Sequence, residues 1–333
     1  MQAAVSPAGD AWHFPRRYGW RAGLLVVLAM AVLGWTGHRV EVGRMVALTV
    51  SGIAGGTGQT SADTGLAEVL AQLIPPQLAQ RTEVARIAGF DPADLPPFSH
   101  IVTEQVREDV VNPATLTLEP RLVTRSWLVE PLGYLGHVAG KLVETLEIAL
   151  WGTLVAAVIG LALALASARN VMPWAMPRLL ARAVLALLRS VPELVLALFL
   201  MLAYGFGPIA GFMALGLHGG GVLGRFFAEQ VEQADRRPQE ALLAIGAGRL
   251  AVWRLAVLPE VAPLHVGSLL YVLDRNVRMA TVVGLVGAGG IGQELKGRFD
   301  LLDYGHVGTI LIAIFIIVLL LDQLSSRLRA QLR

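Results

Sequence analysis

Several residue groups in this chain have types and spacings that could support chemistry. Gly287-Ala288-Gly289-Gly290-Ile291-Gly292 follows a β-branched run and fits G-x-G-x-x-G, the turn that cradles a pyrophosphate in dinucleotide-binding folds. Gly136-His137-Val138-Ala139-Gly140-Lys141-Leu142 has the outline of a P-loop. Ionisable residues also interrupt apolar stretches: Arg189 and Glu193, His218, and the group Asp274, Arg275, Asn276 and Arg278. Guanidinium groups in such surroundings are suited to an oxyanion, because their planar fork matches its oxygens.

The nucleotide readings fail on context. A dinucleotide fold needs a helix after its glycines and an acidic residue roughly twenty positions on. There the sequence reads GTILIAIFIIVLLL, apolar and too long for a strand, with no strand–helix alternation around it. The P-loop lookalike has three residues between its glycines where four are needed, and Leu142 where Ser or Thr must follow the lysine. There are no cysteines, and the seven histidines are scattered without metal-ligand spacing, so thiol and zinc chemistry have no support.

Composition turns the argument towards lipid. Of 333 residues, 55% are hydrophobic and 16% charged, and mean hydropathy is +0.60. Soluble domains carry about a quarter charged residues. The net charge of +2 is too small to suggest nucleic acid. Apolar runs of spanning length fall at about 22–37, 146–168, 183–205, 207–227, 263–286 and 305–322. Alternating these six puts four basic clusters on one side: Arg16, Arg17 and Arg21; Arg169, Arg178 and Arg182; Arg225 to Arg254; and Arg327 to Arg333. Arginine marks the cytoplasmic side, so both termini are expected there.

The expected architecture is therefore an all-α membrane protein. Residues 1–37 form a cytoplasmic N-terminus and first helix, 38–142 an extracytoplasmic segment, and 143–333 the membrane core. Within 38–142, GLAEVLAQLIPP and HIVTEQVREDVVNP read as short amphipathic helices ended by proline. SWLVEPLGYLGHV suits the membrane interface, with Trp127 and Tyr134 at headgroup depth. The basic start and Ala29-Met30-Ala31 of the first span also fit a cleavable signal peptide; a retained anchor is favoured.

If not for a nucleotide, the glycine cluster serves membrane packing, a constriction or a re-entrant turn, since irregular backbone at membrane depth is tolerated where protein or a cavity surrounds it. On the cytoplasmic side, RRPQEALLAIGAGRLAVWRLAVLPEVAP begins with helix-favouring signals. Pro238 suits a first turn, Glu240 complements the helix dipole, and Gly246 and Gly248 end the element. Such a helix could seat in a groove of a soluble partner.

This loop (236–260) resembles the EAA loop of ABC importer permeases, E-A-A-x3-G-x9-I-x-L-P. Glu240, Ala241, Gly246, Leu258 and Pro259 match, while Leu242 and Ala256 replace the second Ala and the Ile. LYVLDRNVRMATVVGLVGAGGIG (270–292), LLRSVPELVLA (187–197), GFGPIAG (205–211) and His218 resemble the phosphonate ABC transporter permease family, and the similarity covers roughly 140–333. The resemblance implies an importer half. Two permease chains, identical or paralogous, would pair with two cytoplasmic ATPases, and a binding protein would deliver phosphonate, phosphite, hypophosphite or phosphate. ATP and magnesium would belong to the ATPase, with no cofactor on this chain. It also implies that Glu240, Ala241, Gly246, Leu258 and Pro259 contact the ATPase.

Within that frame, Gly287, Gly289, Gly290 and Gly292 are gate or pathway candidates. Arg278, Asn276, Arg275, His218 and Arg189 are candidates for the anion path, although Arg275 lies outside the family pattern. The plainer alternatives are helix-face ion pairs, Asp274 with Arg278 and Arg189 with Glu193, each four residues apart. An ion-coupled secondary transporter is the competing class, but the repeated halves common there are not seen.

Overall fold

The computed structural model describes residues 20–39, 41, 43, 72–92, 95–111 and 118–331. Two compact units divide the chain, Met1–Ala71 and Gln72–Arg333. The first contains helix α1 (Trp20–Arg39), which covers the first expected span.

The second unit is mostly helical. Its long helices are α2 (Gly133–Ser167), α5 (Pro208–Gln233), α8 (Leu258–Val283) and α10 (Tyr304–Gln331). Shorter ones are α3 (Ala175–Ser190), α4 (Glu193–Tyr204), α6 (Arg236–Ala244), α7 (Arg249–Val252) and α9 (Gly290–Asp300). A π-helical turn at Trp253–Val257 joins α7 to α8, so helix runs nearly unbroken from Arg249 to Ala288. The fifth expected span thus starts well inside the stretch read as a loop. That run, α2 and α10 are long and apolar enough to cross a membrane.

The third expected span is bent. α3 and α4 meet at 92°, with Pro192 at the break. Proline lacks the N–H that would continue the helix and its ring crowds the preceding turn. The break at Pro192 is therefore a near right angle, and it separates Arg189 from Glu193. The i,i+4 pair expected between them does not form, and Glu193 has other partners.

The core is built on α2 against α5. Gly152, Ala156 and Gly160 recur every fourth residue on α2, and Gly216, Gly220 and Gly224 do so on α5. A Cβ at Gly220 would collide with Ile159, and one at Gly160 with Leu223. Small residues at this spacing let two helix backbones approach closely, the usual way to gain packing where lipid offers no hydrophobic drive. Asn276 on α8 joins this seam by donating to Thr153 Oγ1 at 2.9 Å, and Thr153 donates to Ala149 O at 2.7 Å.

The segment before α2 departs from the helical expectation. HIVTEQVREDVV is a strand, β2 (His100–Val111). It lies beside β3 (Leu118–Glu130), which also pairs with β1 (Gln80–Glu83), giving an antiparallel sheet in the order β1-β3-β2. The register runs from His100↔Val129 to Val111↔Leu118. Ile101, Val102, Thr103 and Val106 are β-branched, and such residues favour a pleated strand over a helix once a partner strand is present. Trp127 sits in β3 opposite Val102, and Tyr134 is fully buried in α2. GLAEVLAQLIPP lies largely outside the described residues.

The stretch leading into β1 is fastened to the start of α10. Gln77 N donates to Gly305 O at 3.1 Å, and Thr309 Oγ1 to Gln77 O at 2.6 Å. His306 donates from Nδ1 to Asp303 at 2.7 Å and from Nε2 to Ala79 O at 3.1 Å. Burial alone would raise the Asp303 carboxyl, but hydrogen bonds from His306 and Arg298 hold it below the usual carboxylate range.

Candidate functional site: a buried ionic cluster and a coupling helix

The break between α3 and α4 is where the membrane charges meet. Opening the helix at Pro192 leaves the Val191 carbonyl outside the helical pattern, and His218 of α5 supplies its partner, with Nδ1 at 2.9 Å. A carbonyl only accepts, so Nδ1 carries the proton. Nε2 lies 2.9 Å from the Arg275 guanidinium of α8 and 3.3 Å from Glu193 Oε1. The same guanidinium nitrogen is ion-paired to Glu193 Oε1, the first residue of α4. His218 and Glu193 are both buried, and Arg275 is mostly covered. One arginine thus ties three helices together through one carboxylate and one imidazole.

Arg278, one turn further along α8, pairs with Asp274 at 2.6 Å and 3.3 Å, the helix-face pair expected from spacing. The partners differ in environment. The Asp274 side chain is 7% exposed and that of Arg278 is 46%. Arg278 is therefore open to its surroundings on one side, whereas Asn276 is committed to Thr153 within the helix seam.

Arg189 stands apart from the cluster. It lines a cavity of about 250 Å³ with Arg182, Arg225, Glu229 and Glu232. Arg182 pairs with Glu232 and Arg225 with Glu229, both at 2.6 Å, and among the described residues Arg189 has no carboxylate partner. Arg225 lies about two helical turns from His218 on α5. The cavity and the cluster share that helix.

The glycine cluster makes a reversal. After α8, a π-helical turn (Gly284–Ala288) ends with Gly287 at φ 111° and Gly289 at φ 91°, conformations that disfavour a Cβ. α9 then folds back so that Gly292 lies against Thr281 and Gly284. Phe206 covers Gly287, whose carbonyl accepts from Gly207 N at 3.1 Å, and Thr145 Oγ1 accepts from Ile291 N at 2.8 Å. Gly290 meets the same threonine. The backbone reverses direction at this turn.

At the other end of α8 the loop region 236–260 is ordered. Asp235 caps α6 by accepting from Arg237 N at 3.0 Å, and its own N–H donates to Glu260 at 2.9 Å. Gly246, at φ 82°, closes the helix through bonds from Gly246 N to Leu243 O and Ala247 N to Leu242 O, both 3.0 Å. Glu240 and Ala241 are exposed, as are Leu258 and Pro259 at the start of α8. Leu243, Ile245 and Leu250 are uncovered as well, Ile245 at 80% exposure. An exposed apolar edge on a short capped helix is a docking feature.

Sequence reasoning missed two elements of this site. Glu193 was assigned to Arg189, since nothing in the sequence marks a partner 82 residues away. The exposure of Ile245 emerges only from the fold.

Comparison with known proteins agrees with this geometry. Residues 150–332 match the family described as "Binding-protein-dependent transport system inner membrane component". The permease HtxE of Stutzerimonas stutzeri, named for a phosphite transport system, is 50% identical over 258 residues, 78% of this chain and 99% of its own length. The phosphite transport system permease protein PtxC of the same organism is 43% identical over 188 residues, 56% of this chain and 68% of its own. Among solved structures, a chain of the MetNI methionine ABC transporter in inward-facing conformations superposes with a TM-score of 0.51 at 20% identity, covering 59% of this chain and 96% of that one. That likeness speaks to fold. With a helical core and a family match over more than half its length, this chain belongs to the inner membrane components of binding-protein-dependent transport systems.

Proposed function

We propose that the chain is the permease subunit of an ATP-driven importer for phosphite or a related phosphorus oxyanion. The observation that carries this reading is the mostly covered Arg275 guanidinium, which shares one carboxylate and one imidazole nitrogen at the helix break. A compact oxyanion can compete for such a guanidinium, and the relatives named for phosphite transport support that anion class. Arg278 offers a second, half-exposed guanidinium nearby, and Arg189 with Arg225 a third station at the far cavity.

Six membrane crossings with both termini cytoplasmic remain the preferred topology, because the arginine clusters then share a side. Two permease chains, two ATPases and an extracytoplasmic binding protein make the working assembly. ATP and magnesium belong to the ATPase, and this chain has no P-loop of its own. α6, with Glu240, Ala241 and Gly246, transmits the ATPase movement, and Leu258 and Pro259 pass it into α8. The glycine reversal at Gly287–Gly292 forms the extracytoplasmic end of the path.

Coupling is testable through Ile245. Its side chain meets solvent, so Ile245→Glu should leave insertion intact. It places a charge on the apolar docking edge and should abolish stimulation of ATP hydrolysis by loaded binding protein. Stimulation equal to the unaltered complex would remove α6 from the coupling role.

A further inference from the structure

A groove of about 660 Å³ opens between α5, α8 and α10, walled by Phe226, Leu264, Tyr271 and Ala330, with Ser268, Ser326 and Arg329 as its polar contributions. Two buried polar atoms beside it lack a protein partner. Arg329 Nη1 has no acceptor among the described residues. Gln230 Nε2 donates to Ser268 Oγ at 2.8 Å, leaving Gln230 Oε1 buried with no donor. Buried guanidinium N–H groups are costly to leave unmade. The arrangement asks for a ligand that is apolar along most of its length, presents an acceptor with negative charge to Arg329, and carries a donor beyond it.

We propose that this groove is a binding site for a membrane phospholipid, with its phosphate on Arg329 and an acyl chain along Phe226, Leu264 and Tyr271. Charge complementarity favours this occupant. Arg329 lies in the last turn of α10, with Arg327 near it in sequence, and basic pockets between membrane helices at the cytoplasmic side suit lipid headgroup phosphates. A headgroup hydroxyl or ammonium would supply the donor that Gln230 Oε1 lacks. The proposal depends on α8 and α10 being membrane helices and is independent of which anion is transported.

The test uses the full chain, purified in detergent with its partners, and a fluorescent phosphatidylglycerol as probe. Saturable binding is expected. Arg329→Gln should weaken it at least tenfold, while Arg329→Lys keeps part of it. Gly267 faces open space, with nothing within 4 Å of an added Cβ. Gly267→Leu should therefore fill the groove without disturbing the fold and abolish binding. Equal affinity in Arg329→Gln and Gly267→Leu would overturn the proposal. So would displacement of the probe by millimolar inorganic phosphate alone, which would mark a free-phosphate site. Loss of permease pairing on crosslinking of Gly267→Leu, with unchanged probe binding, would also overturn it by assigning the groove to a second copy of the chain.

Discussion

Glu193→Leu is expected to be the most damaging single substitution in the chain. It strips the carboxylate from Arg275 and leaves a mostly covered guanidinium with only His218 Nε2 to receive it. Removing one partner of a buried pair costs about 3–5 kcal/mol, whereas replacing both by apolar groups of similar volume is often tolerated. Glu193→Leu should thus give little folded protein, and Glu193→Leu with Arg275→Met should recover most of the yield. The recovered protein should still import its anion slowly, because the guanidinium that competes for it is gone. Yield is read by fluorescence-detected chromatography and transport by uptake in cells. Full uptake by the double variant would make the cluster a structural fastening alone.

The second large effect is an asymmetry in the neighbouring pair. Arg278→Met leaves Asp274 as a buried, unpaired carboxylate, and its expected cost again approaches about 3–5 kcal/mol. Asp274→Leu leaves only Arg278, whose side chain is 46% exposed and can extend to water. The aspartate variant should therefore express far better than the arginine variant. The double variant should express well yet import slowly if Arg278 also attracts the anion. Equal losses from the two single changes would mean that both charges are buried in the assembled complex. Near-normal uptake by the double variant would confine Arg278 to pairing with Asp274.

These expectations show where sequence and fold diverge. The i,i+4 spacing of Asp274 and Arg278 could be read directly, because a helix brings such residues together wherever it lies. The same rule misled at Arg189 and Glu193, where Pro192 breaks the helix and turns the two residues apart. The rule needs continuous helix, and proline is the residue that should suspend it. The docking helix was legible from Pro238, Glu240 and Gly246, since capping signals are local. Its exposed Ile245 was not, because exposure depends on what the rest of the chain fails to cover.

The stripe Gly216, Gly220 and Gly224 was legible but unread, its four-residue spacing hidden beside the more conspicuous Gly219 and Gly221. The β2–β3 hairpin departs from the expected helix because strand pairing is a contact between segments that no single window contains, and there the β-branched Ile101, Val102, Thr103 and Val106 outweigh Glu104 and Gln105. The reversal at Gly287–Gly292 falls between these cases. Glycine density announced irregular backbone, and the backbone angles selected a turn.

The central claim is that this chain passes a phosphorus oxyanion inward at the expense of ATP. The direct measurement is uptake of labelled phosphite into proteoliposomes that contain the permease and its ATPase, with ATP inside and binding protein outside. Accumulation that requires both ATP and the binding protein, and that falls sharply in the Glu193→Leu, Arg275→Met double variant, is the predicted result. Accumulation driven by an ion gradient without ATP, or no phosphite uptake while the ATPase is stimulated by another loaded binding protein, would contradict it.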